Sequence, residues 1–199
     1  MHPDWNARFS QPGYLYGTAP NDFLAEVASR LPDGPILSLA EGEGRNGTFL
    51  AARGHAVHGV DGSSVALKKA ALLAAERGVE LTTEVVDLAG YRIEPGRWAA
   101  IVAIWAHVPP AIRRPLYAQV ARGLRPGGMF VLETYAPSQI GRGTGGPSDP
   151  ELLPGMEQLQ RERPGLTGLV AREVERDVQE GHLHGGQSAT VQLLGRRAD

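Results

Sequence analysis

Short apolar runs and amphipathic stretches alternate along the first two thirds of the chain. The apolar runs predict strands over residues 35–40, 55–61, 81–86, 98–105 and 128–134. The spacing of apolar positions and the capping residues predict helices over about 22–31, 64–77 and 109–124, and a short helix that ends before Gly54. Strands that are apolar along their whole length and alternate with helices favour a parallel sheet covered on both faces.

The last third of the chain has a different pattern. Residues 135–150 are rich in Gly, Pro and Ser and predict a long loop, and a helix is expected over about 149–162. Two strand-like runs, about 167–178 and 183–195, flank the sequence QEGHLHGG, which is typical of a β-hairpin turn. The whole pattern predicts an α/β, Rossmann-like fold in which an antiparallel pair closes a mostly parallel sheet.

Length, charge and composition restrict the class of protein. A chain of 199 residues is in the range of one domain, which we divide into an N-terminal cover (1–20), a ligand-binding core (21–134) and a C-terminal part (135–199). The net charge of −2 gives no positive field for nucleic acid, and no apolar run reaches the roughly 18 residues of a membrane span. The absence of cysteine excludes disulfides and a thiol nucleophile. We expect a cytoplasmic monomer or weak dimer that binds a small molecule and neither nucleic acid nor membrane.

A glycine-rich turn follows the first predicted strand. Gly42-x-Gly44-x-x-Gly47 matches the fingerprint of dinucleotide-binding turns, and Asp61 lies 19 residues beyond Gly42, where that fingerprint has its ribose-binding acid. The turn also contains Glu41 and Glu43. A carboxylate ~4 Å from a phosphate costs ~1 kcal/mol in water and several times more in a partly dehydrated cleft. S-adenosylmethionine (SAM) carries a sulfonium and an ammonium and no phosphate, so the charge of the turn favours SAM over a dinucleotide.

Further polar residues stand at the ends of the other predicted strands. In an open α/β sheet the ligand lies outside the carboxyl ends of the strands, where the strand order reverses. There Asp61 can accept both ribose hydroxyls, Asp87 can accept from the adenine amino group, and Leu88 can offer its N–H to a ring nitrogen. The predicted cofactor-binding residues are Ala40, Glu41, Gly42, Gly44, Asn46, Asp61, Gly62, Ser63, Asp87, Leu88, Ile104 and Trp105.

The stretch ILSLAEGEGRNGTFLAARGHAVHGVDGSSVAL resembles motifs I and II of class I SAM-dependent methyltransferases. Gly44-Arg45-Asn46 and the N-terminal WNARFSQPGYLYGTAPNDFL are similar to the branch of tellurite-resistance protein B and thiopurine methyltransferase. The resemblance implies a seven-stranded fold, SAM as methyl donor, S-adenosylhomocysteine as product, and acceptors such as thiols or chalcogen oxyanions. The chain departs from the family at Ser38, where Asp is usual, and at Ala40, where Gly is usual.

Candidate residues for the methyl acceptor lie elsewhere in the chain. His107 follows the fourth predicted strand and could act as a general base, or it could cap the next helix or form a wall. Tyr16 belongs to the segment that, in the resembled branch, folds over the cofactor. Arg142, in the glycine-rich loop, could bind an anionic acceptor or face solvent, and His184 could contact the acceptor. His182 and His184 share one face of a strand, but no third ligand is evident nearby except Glu180, which belongs to the turn, so we expect no metal site.

Three functions fit these observations to different degrees. We expect a SAM-dependent methyltransferase that acts on a small-molecule acceptor. An NAD(P)-dependent oxidoreductase would share the glycine turn and Asp61, but the acidic turn and the lack of a Tyr-x-x-x-Lys pair weigh against it. A non-catalytic SAM-binding regulatory module would bind the same cofactor without transferring its methyl group.

Overall fold

A seven-stranded sheet runs through the computed structural model, which describes residues 4–199. The strands are β1 (Ile36–Leu39), β2 (Val57–Asp61), β3 (Leu81–Val85), β4 (Trp98–Ile104), β5 (Leu124–Tyr135), β6 (Leu166–Glu180) and β7 (His184–Arg197). Their order in the sheet is β3-β2-β1-β4-β5-β7-β6; β1 to β5 are parallel, and β7 is antiparallel to both of its neighbours. The predicted fold class is confirmed, including the antiparallel C-terminal hairpin.

Buried strands in the centre of the sheet hold the two faces of the core together. All seven residues of β4 are buried. Alternate residues of β4 pack on opposite faces: Ile101 and Ala103 join one apolar cluster, and Ala100 and Val102 join the other. The strand order reverses between β1 and β4, so the connections that follow these two strands leave in opposite directions and open a crevice at their carboxyl ends.

The helices mostly follow the predicted pattern. They are α1 (Trp5–Phe9), α2 (Asp22–Val27), α3 (Arg45–Ala51), α4 (Ser64–Glu76), α5 (Pro110–Tyr117), α6 (Val120–Gly123) and α7 (Met156–Glu162). Side chains cap two of them as expected: the Asn21 oxygen accepts from the Leu24 N–H at 2.9 Å, and the Ser63 hydroxyl accepts from the Ala66 N–H at 3.1 Å. Helix α2 ends in a 3₁₀ turn over Ala28–Arg30, which completes the predicted segment.

Three helical segments differ from the prediction. The single helix expected over 109–124 is interrupted between α5 and α6, where the side-chain amide of Gln119 donates to the Pro115 carbonyl at 3.0 Å and the Gln119 N–H turns to the Leu116 carbonyl. The helix expected over 149–162 is shortened to α7, because Leu153 has a non-helical backbone conformation (φ −113°, ψ +77°) before Pro154. Helix α1, capped by Asp4, was not predicted. No helix within residues 4–199 is long and apolar enough to cross a membrane.

Candidate active site

A cavity of about 620 Å³ lies at the carboxyl ends of the parallel strands, at the reversal of strand order. Small-molecule sites typically occupy about 300 to 1,000 Å³. The cavity is lined by these predicted site residues: Tyr16, Ala40, Glu41, Gly42, Asn46, Asp61, Gly62, Asp87, Leu88, Ile104, Trp105, His107 and His184. Gly44, Ser63 and Arg142 do not line it.

The backbone of the turn after β1 adopts left-handed conformations. Ala40 has φ +53°, which is strained for a residue with a side chain, and Gly42 and Gly44 have φ +62° and +91°. A Cβ atom at Gly44 would lie 2.7 Å from the Cα of Ala70. Gly44 is therefore required by close packing of the turn against α4, and the structure does not place it in contact with the ligand cavity as predicted.

Glu41 turns its carboxyl group into the protein beneath the turn. Its Oε1 accepts from the Gly47 N–H at 2.8 Å, and its Oε2 is buried without a hydrogen-bond partner among the described residues. Gly59 makes room for this side chain, since a Cβ atom there would lie 2.7 Å from Cγ of Glu41. Burial raises the pKa of Glu41 to about 7.

Glu43 is also satisfied within the protein. It accepts from the Leu15 N–H at 2.8 Å and forms an ion pair of 2.9 Å with Lys69. Glu41 and Glu43 therefore do not present free carboxylates that would repel a diphosphate, contrary to the expectation from sequence, because one carboxyl group is buried inside and the other is neutralised by Lys69.

The structure offers a different reason why the turn suits a ligand without phosphates. A pyrophosphate is normally held by free N–H groups at the start of the helix that follows such a turn. Here the Gly42 N–H donates to Asp61 at 2.9 Å, and the Gly47 N–H donates to Glu41 at 2.8 Å. Two of the amides of the turn are thus already bound to carboxyl groups and are not available to an anion.

Asp61, at the end of β2, is fixed by the backbone on both oxygens. Oδ1 accepts from the Ser63 N–H at 2.8 Å and Oδ2 from the Gly42 N–H at 2.9 Å. Burial raises its pKa, while these backbone bonds oppose the change. Each carboxylate oxygen retains a second lone pair, so Asp61 can still accept from neighbouring hydroxyls of a sugar. Ser63 caps α4 and is fully buried, which explains why it does not reach the cavity.

Asp87 and Leu88 follow β3 on the same side of the cavity. Asp87 accepts from the Ala89 N–H at 2.9 Å, which closes a tight turn around Leu88, and both Asp87 and Leu88 line the cavity. Together with Asp61 and Gly62, they form a polar half of the cavity at the ends of β2 and β3.

The opposite half of the cavity is aromatic. Trp105, directly after β4, stacks on Tyr135 with ring centroids 4.3 Å apart and on His107 at 5.9 Å. His184, the first residue of β7, meets Trp105 edge to face at 5.3 Å and Tyr16 at 4.7 Å. Trp105 has φ +55°, a second strained position at a strand end that faces the cavity.

The environment of His107 does not favour a general base. Burial, together with the nearby His184, lowers its pKa to about 3, and its Nε2 is buried without a hydrogen-bond partner among the described residues. A histidine with such a pKa is neutral at pH 7 but takes up a proton poorly. The structure supports the alternative that His107 forms part of the aromatic wall.

A buried group of charges behind the aromatic wall was not predicted. Glu180 accepts from Arg45 at 2.6 Å and from the indole N–H of Trp105 at 2.5 Å, and its Oε2 lies 3.8 Å from Nδ1 of His184. Arg176 bridges Glu180 and the fully buried Glu133. Burial alone would raise the pKa of Glu180, but His184, Arg45 and Asn21 outweigh it and hold the pKa below its usual range. The sequence indicates only that Glu180 belongs to a turn.

Arg142 lies outside the cavity, which corrects its predicted contact with the acceptor. Its guanidinium is paired with Glu175 of β6 at 2.5 Å and also donates to the Ser138 carbonyl at 3.0 Å. Both bonds hold the side chain against the outer face of the hairpin. In this arrangement Arg142 cannot reach a ligand in the cavity.

Comparisons with known proteins agree with this architecture. The family model described as a methyltransferase domain matches residues 36–128, which contain β1 to β4 and the start of β5. The chain has the class I methyltransferase fold. A 2-heptyl-1-hydroxyquinolin-4(1H)-one methyltransferase of Mycobacteroides abscessus is 26% identical over 149 residues, covering 72% of this chain and 66%, slightly less than two thirds, of that protein.

Solved structures extend the likeness to the whole fold. A structure determined in work on the conversion of a disulfide bond into a thioacetal group during echinomycin biosynthesis has a TM-score of 0.76 at 19% identity, covering 98% of this chain and 90% of that one. TehB from Haemophilus influenzae has a TM-score of 0.75 at 14% identity, covering 91% of this chain and 63% of its own. Other structures with this fold are named as SAM-dependent methyltransferases or contain SAM or S-adenosylhomocysteine. At these identities the likeness shows the fold alone, and membership of the TehB and thiopurine methyltransferase branch stays a prediction.

Proposed function

We propose that this methyltransferase-fold protein transfers a methyl group from SAM to a small, planar aromatic acceptor. The observation that carries the proposal is the division of one cavity into a polar half, with Asp61 and Asp87 at the ends of β2 and β3, and an aromatic half around Trp105. When bound, SAM supplies a methyl group activated by a positively charged sulfur.

The polar half fits the nucleoside of SAM. Asp61 offers two fixed oxygens for the ribose hydroxyls, and Gly62 beside it leaves open space, since a Cβ atom there would come no closer than 3.7 Å to the Val86 carbonyl oxygen. Asp87 and the Leu88 backbone supply an acceptor and a donor for the edge of an adenine ring. The occupied amides of Gly42 and Gly47 disfavour the pyrophosphate of NAD(P), so the oxidoreductase is the weaker alternative.

The N-terminal segment completes the enclosure. Trp5, Phe9 and Tyr16 line the cavity, and Phe9 packs in a small apolar cluster with Leu15 and Ala66 of α4. We propose that this segment covers the cofactor and excludes water from the reacting atoms. An aromatic surface close to a sulfonium adds cation–π attraction.

The charges of the cavity favour a neutral aromatic acceptor over an oxyanion. The cationic side chain among the described lining residues is Arg45, and its guanidinium is already bonded to Glu180 at 2.6 Å. A chalcogen oxyanion would enter this space without a free cation to balance its charge, which is costly in a desolvated site. The rings of Trp105 and His107, which line the cavity and stack on the buried Tyr135, suit a flat ring instead, as does the activity named for the quinolone-methylating relative.

Two measurements test the proposal. Titration calorimetry should register SAM and S-adenosylhomocysteine and give no heat with NADH; the opposite result would establish the dinucleotide alternative. An acceptor screen by mass spectrometry should then detect methylated hydroxyquinolines and hydroxyphenols, and no methylated tellurite or selenite. Binding of SAM without release of S-adenosylhomocysteine for any acceptor, thiols included, would instead support the regulatory module.

A further inference from the structure

A histidine and a buried glutamate meet at the aromatic half of the cavity. β7 runs antiparallel to β5, so its first residue, His184, lies at the edge of the sheet where the parallel strands end. His184 is 6% exposed and lines the cavity. Glu180, the last residue of β6, stands across the hairpin turn with Oε2 3.8 Å from Nδ1 of His184.

We infer that His184, positioned by Glu180, accepts the proton of the acceptor's hydroxyl group during methyl transfer. This inference rests on the proposed function. The substrate class is therefore a planar aromatic ring with an ionisable hydroxyl group. The hydroxyl oxygen forms the new bond to the methyl carbon, the bond from carbon to sulfur breaks with its electron pair left on sulfur, and the proton goes to Nε2 of His184.

The two ring nitrogens of His184 have different surroundings. Nδ1 is buried, faces Glu180 and makes no hydrogen bond to the described residues. Nε2 is not among the buried atoms and has no hydrogen-bond partner in residues 4–199, so it is the nitrogen that can meet a ligand. A carboxylate on the Nδ1 side favours the tautomer with its proton on Nδ1, which leaves a lone pair on Nε2.

Glu180 is held in place by more than His184. Arg45 of α3 and the Trp105 indole both donate to its Oε2, and Arg176 approaches its Oε1 at 3.4 Å. With Glu133, the group contains two carboxyl groups and two guanidinium groups, and the uncharged rings of Tyr16, Trp105, His107 and Tyr135 surround His184 on its other sides. Glu180 is the negative group closest to a proton placed on His184, and it acts as a positioning residue.

The backbone makes space for this arrangement. A Cβ atom at Gly145 would lie 2.9 Å from Cδ2 of His184 and 2.7 Å from the Tyr135 hydroxyl. The glycine, with φ +120°, therefore lets the loop after β5 close over the imidazole without displacing it.

Two acceptors that differ in ionisation distinguish a catalytic base from a residue that only forms the wall of the cavity. Two ring-hydroxylated quinolines of equal size are compared, one substituted so that its hydroxyl is ionised at the assay pH and one that remains protonated. For His184→Gln, we expect kcat to fall by about 100-fold or more on the protonated acceptor and by less than about 3-fold on the ionised one, because only the first needs a base. Equal losses on both acceptors would overturn the inference while leaving the proposed function intact.

Two matched variants test whether the effect is specific to His184 and its partner Glu180. His107→Gln, which alters the neighbouring imidazole in the same wall, should affect both acceptors by the same factor. Glu180→Gln should lower kcat on the protonated acceptor by about 10-fold while the Kd for SAM stays unchanged. A preference of His107→Gln for the ionised acceptor, with none for His184→Gln, would transfer the role to His107 and refute the inference.

A spectroscopic measurement does not depend on turnover. In the complex with S-adenosylhomocysteine, a bound nitrophenol should show a larger phenolate absorption in the wild type than in His184→Gln at the same pH. Identical spectra would overturn the inference. A wild type that releases no S-adenosylhomocysteine with any acceptor would overturn the proposed function, and the inference with it.

Discussion

Glu41 is a carboxyl group that the fold holds in a place where ionisation is unfavourable. Its side chain passes between Gly47 and Gly59, two positions where a Cβ atom would lie 2.5 to 2.7 Å from it. One oxygen receives the Gly47 N–H, and the other is buried with no hydrogen-bond partner among the described residues. The protonated form can exist there at a lower desolvation cost than the carboxylate, which explains why burial raises its pKa to about 7.

This pKa sets the direction of a stability change with pH. The folded protein binds the Glu41 proton more tightly than the unfolded chain, whose glutamate has a pKa of 4.5. The contribution of Glu41 to the free energy of unfolding is therefore fully present below about pH 4.5 and is lost as the pH rises through about 7. An increase from 4.5 to about 7 corresponds to about 3 kcal/mol of unfolding free energy.

Replacement of Glu41 by Gln removes the titration and keeps an oxygen for the Gly47 N–H. At pH 8 we expect Glu41→Gln to be more stable than the wild type by about 2 kcal/mol, which is below the full linkage value because the new amide N–H₂ has no partner. At pH 5 the advantage should vanish or reverse. Urea denaturation of both proteins between pH 5 and pH 8 measures the difference, in which all other titrating groups cancel.

A second carboxyl group in the same turn provides the control. Glu43 is equally buried but paired with Lys69, so Glu43→Gln should lower stability at pH 8. If the difference between Glu41→Gln and the wild type stays constant from pH 5 to pH 8, Glu41 does not titrate in this range and the reasoning fails.

Three further predictions concern the turn and the wall behind it. Ala40→Gly should raise the unfolding free energy by about 0.5–1 kcal/mol, since relief of the left-handed strain outweighs the added chain entropy; a loss equal to that of the control Ala71→Gly, in the middle of α4, would contradict it. Asp61→Ala should weaken SAM by about 1–3 kcal/mol in calorimetry, because bonds from ribose to a charged acceptor are lost; unchanged affinity would mean that the nucleoside is misplaced. Arg45→Met should destabilise the fold in urea by about 2–4 kcal/mol, since buried Glu180 loses its partner at 2.6 Å; recovery in the double variant with Glu180→Met would confirm the cause.

The sheet and the polar half of the cavity were predictable because their signals are local. An apolar run followed by a glycine or an acid marks the end of a parallel strand, and all such ends meet at one edge. Asp61 and Asp87 could therefore be assigned to one site from their position after β2 and β3 alone. Gly44 and Ser63 have the same local signals but serve packing and capping, and sequence does not distinguish these roles.

The charged group behind the aromatic wall could not be predicted, because its members meet only in the folded chain. Arg45 and Glu180 are separated by 135 positions, and Arg176 and Glu133 by 43. Their pairing depends on the insertion of β7 between β5 and β6, which brings the hairpin turn over the start of α3. An isolated glutamate beside a glycine indicates a turn, and no periodicity indicates that its side chain points inwards.

Ser38 and Ala40, the two positions at which the chain departs from the methyltransferases it resembles, lie beside the buried carboxyl group of Glu41. At Ser38, where those methyltransferases usually have Asp, this chain has no carboxyl group, and the carboxyl group buried beneath the turn belongs to Glu41. Its oxygen takes the Gly47 N–H, and Gly59 gives it room. The left-handed backbone that a glycine would adopt freely is imposed on Ala40 instead. Glu41 occupies the Gly47 N–H and Asp61 occupies the Gly42 N–H, two amides that an anion would need. The turn therefore disfavours a diphosphate through occupied donors rather than through net negative charge.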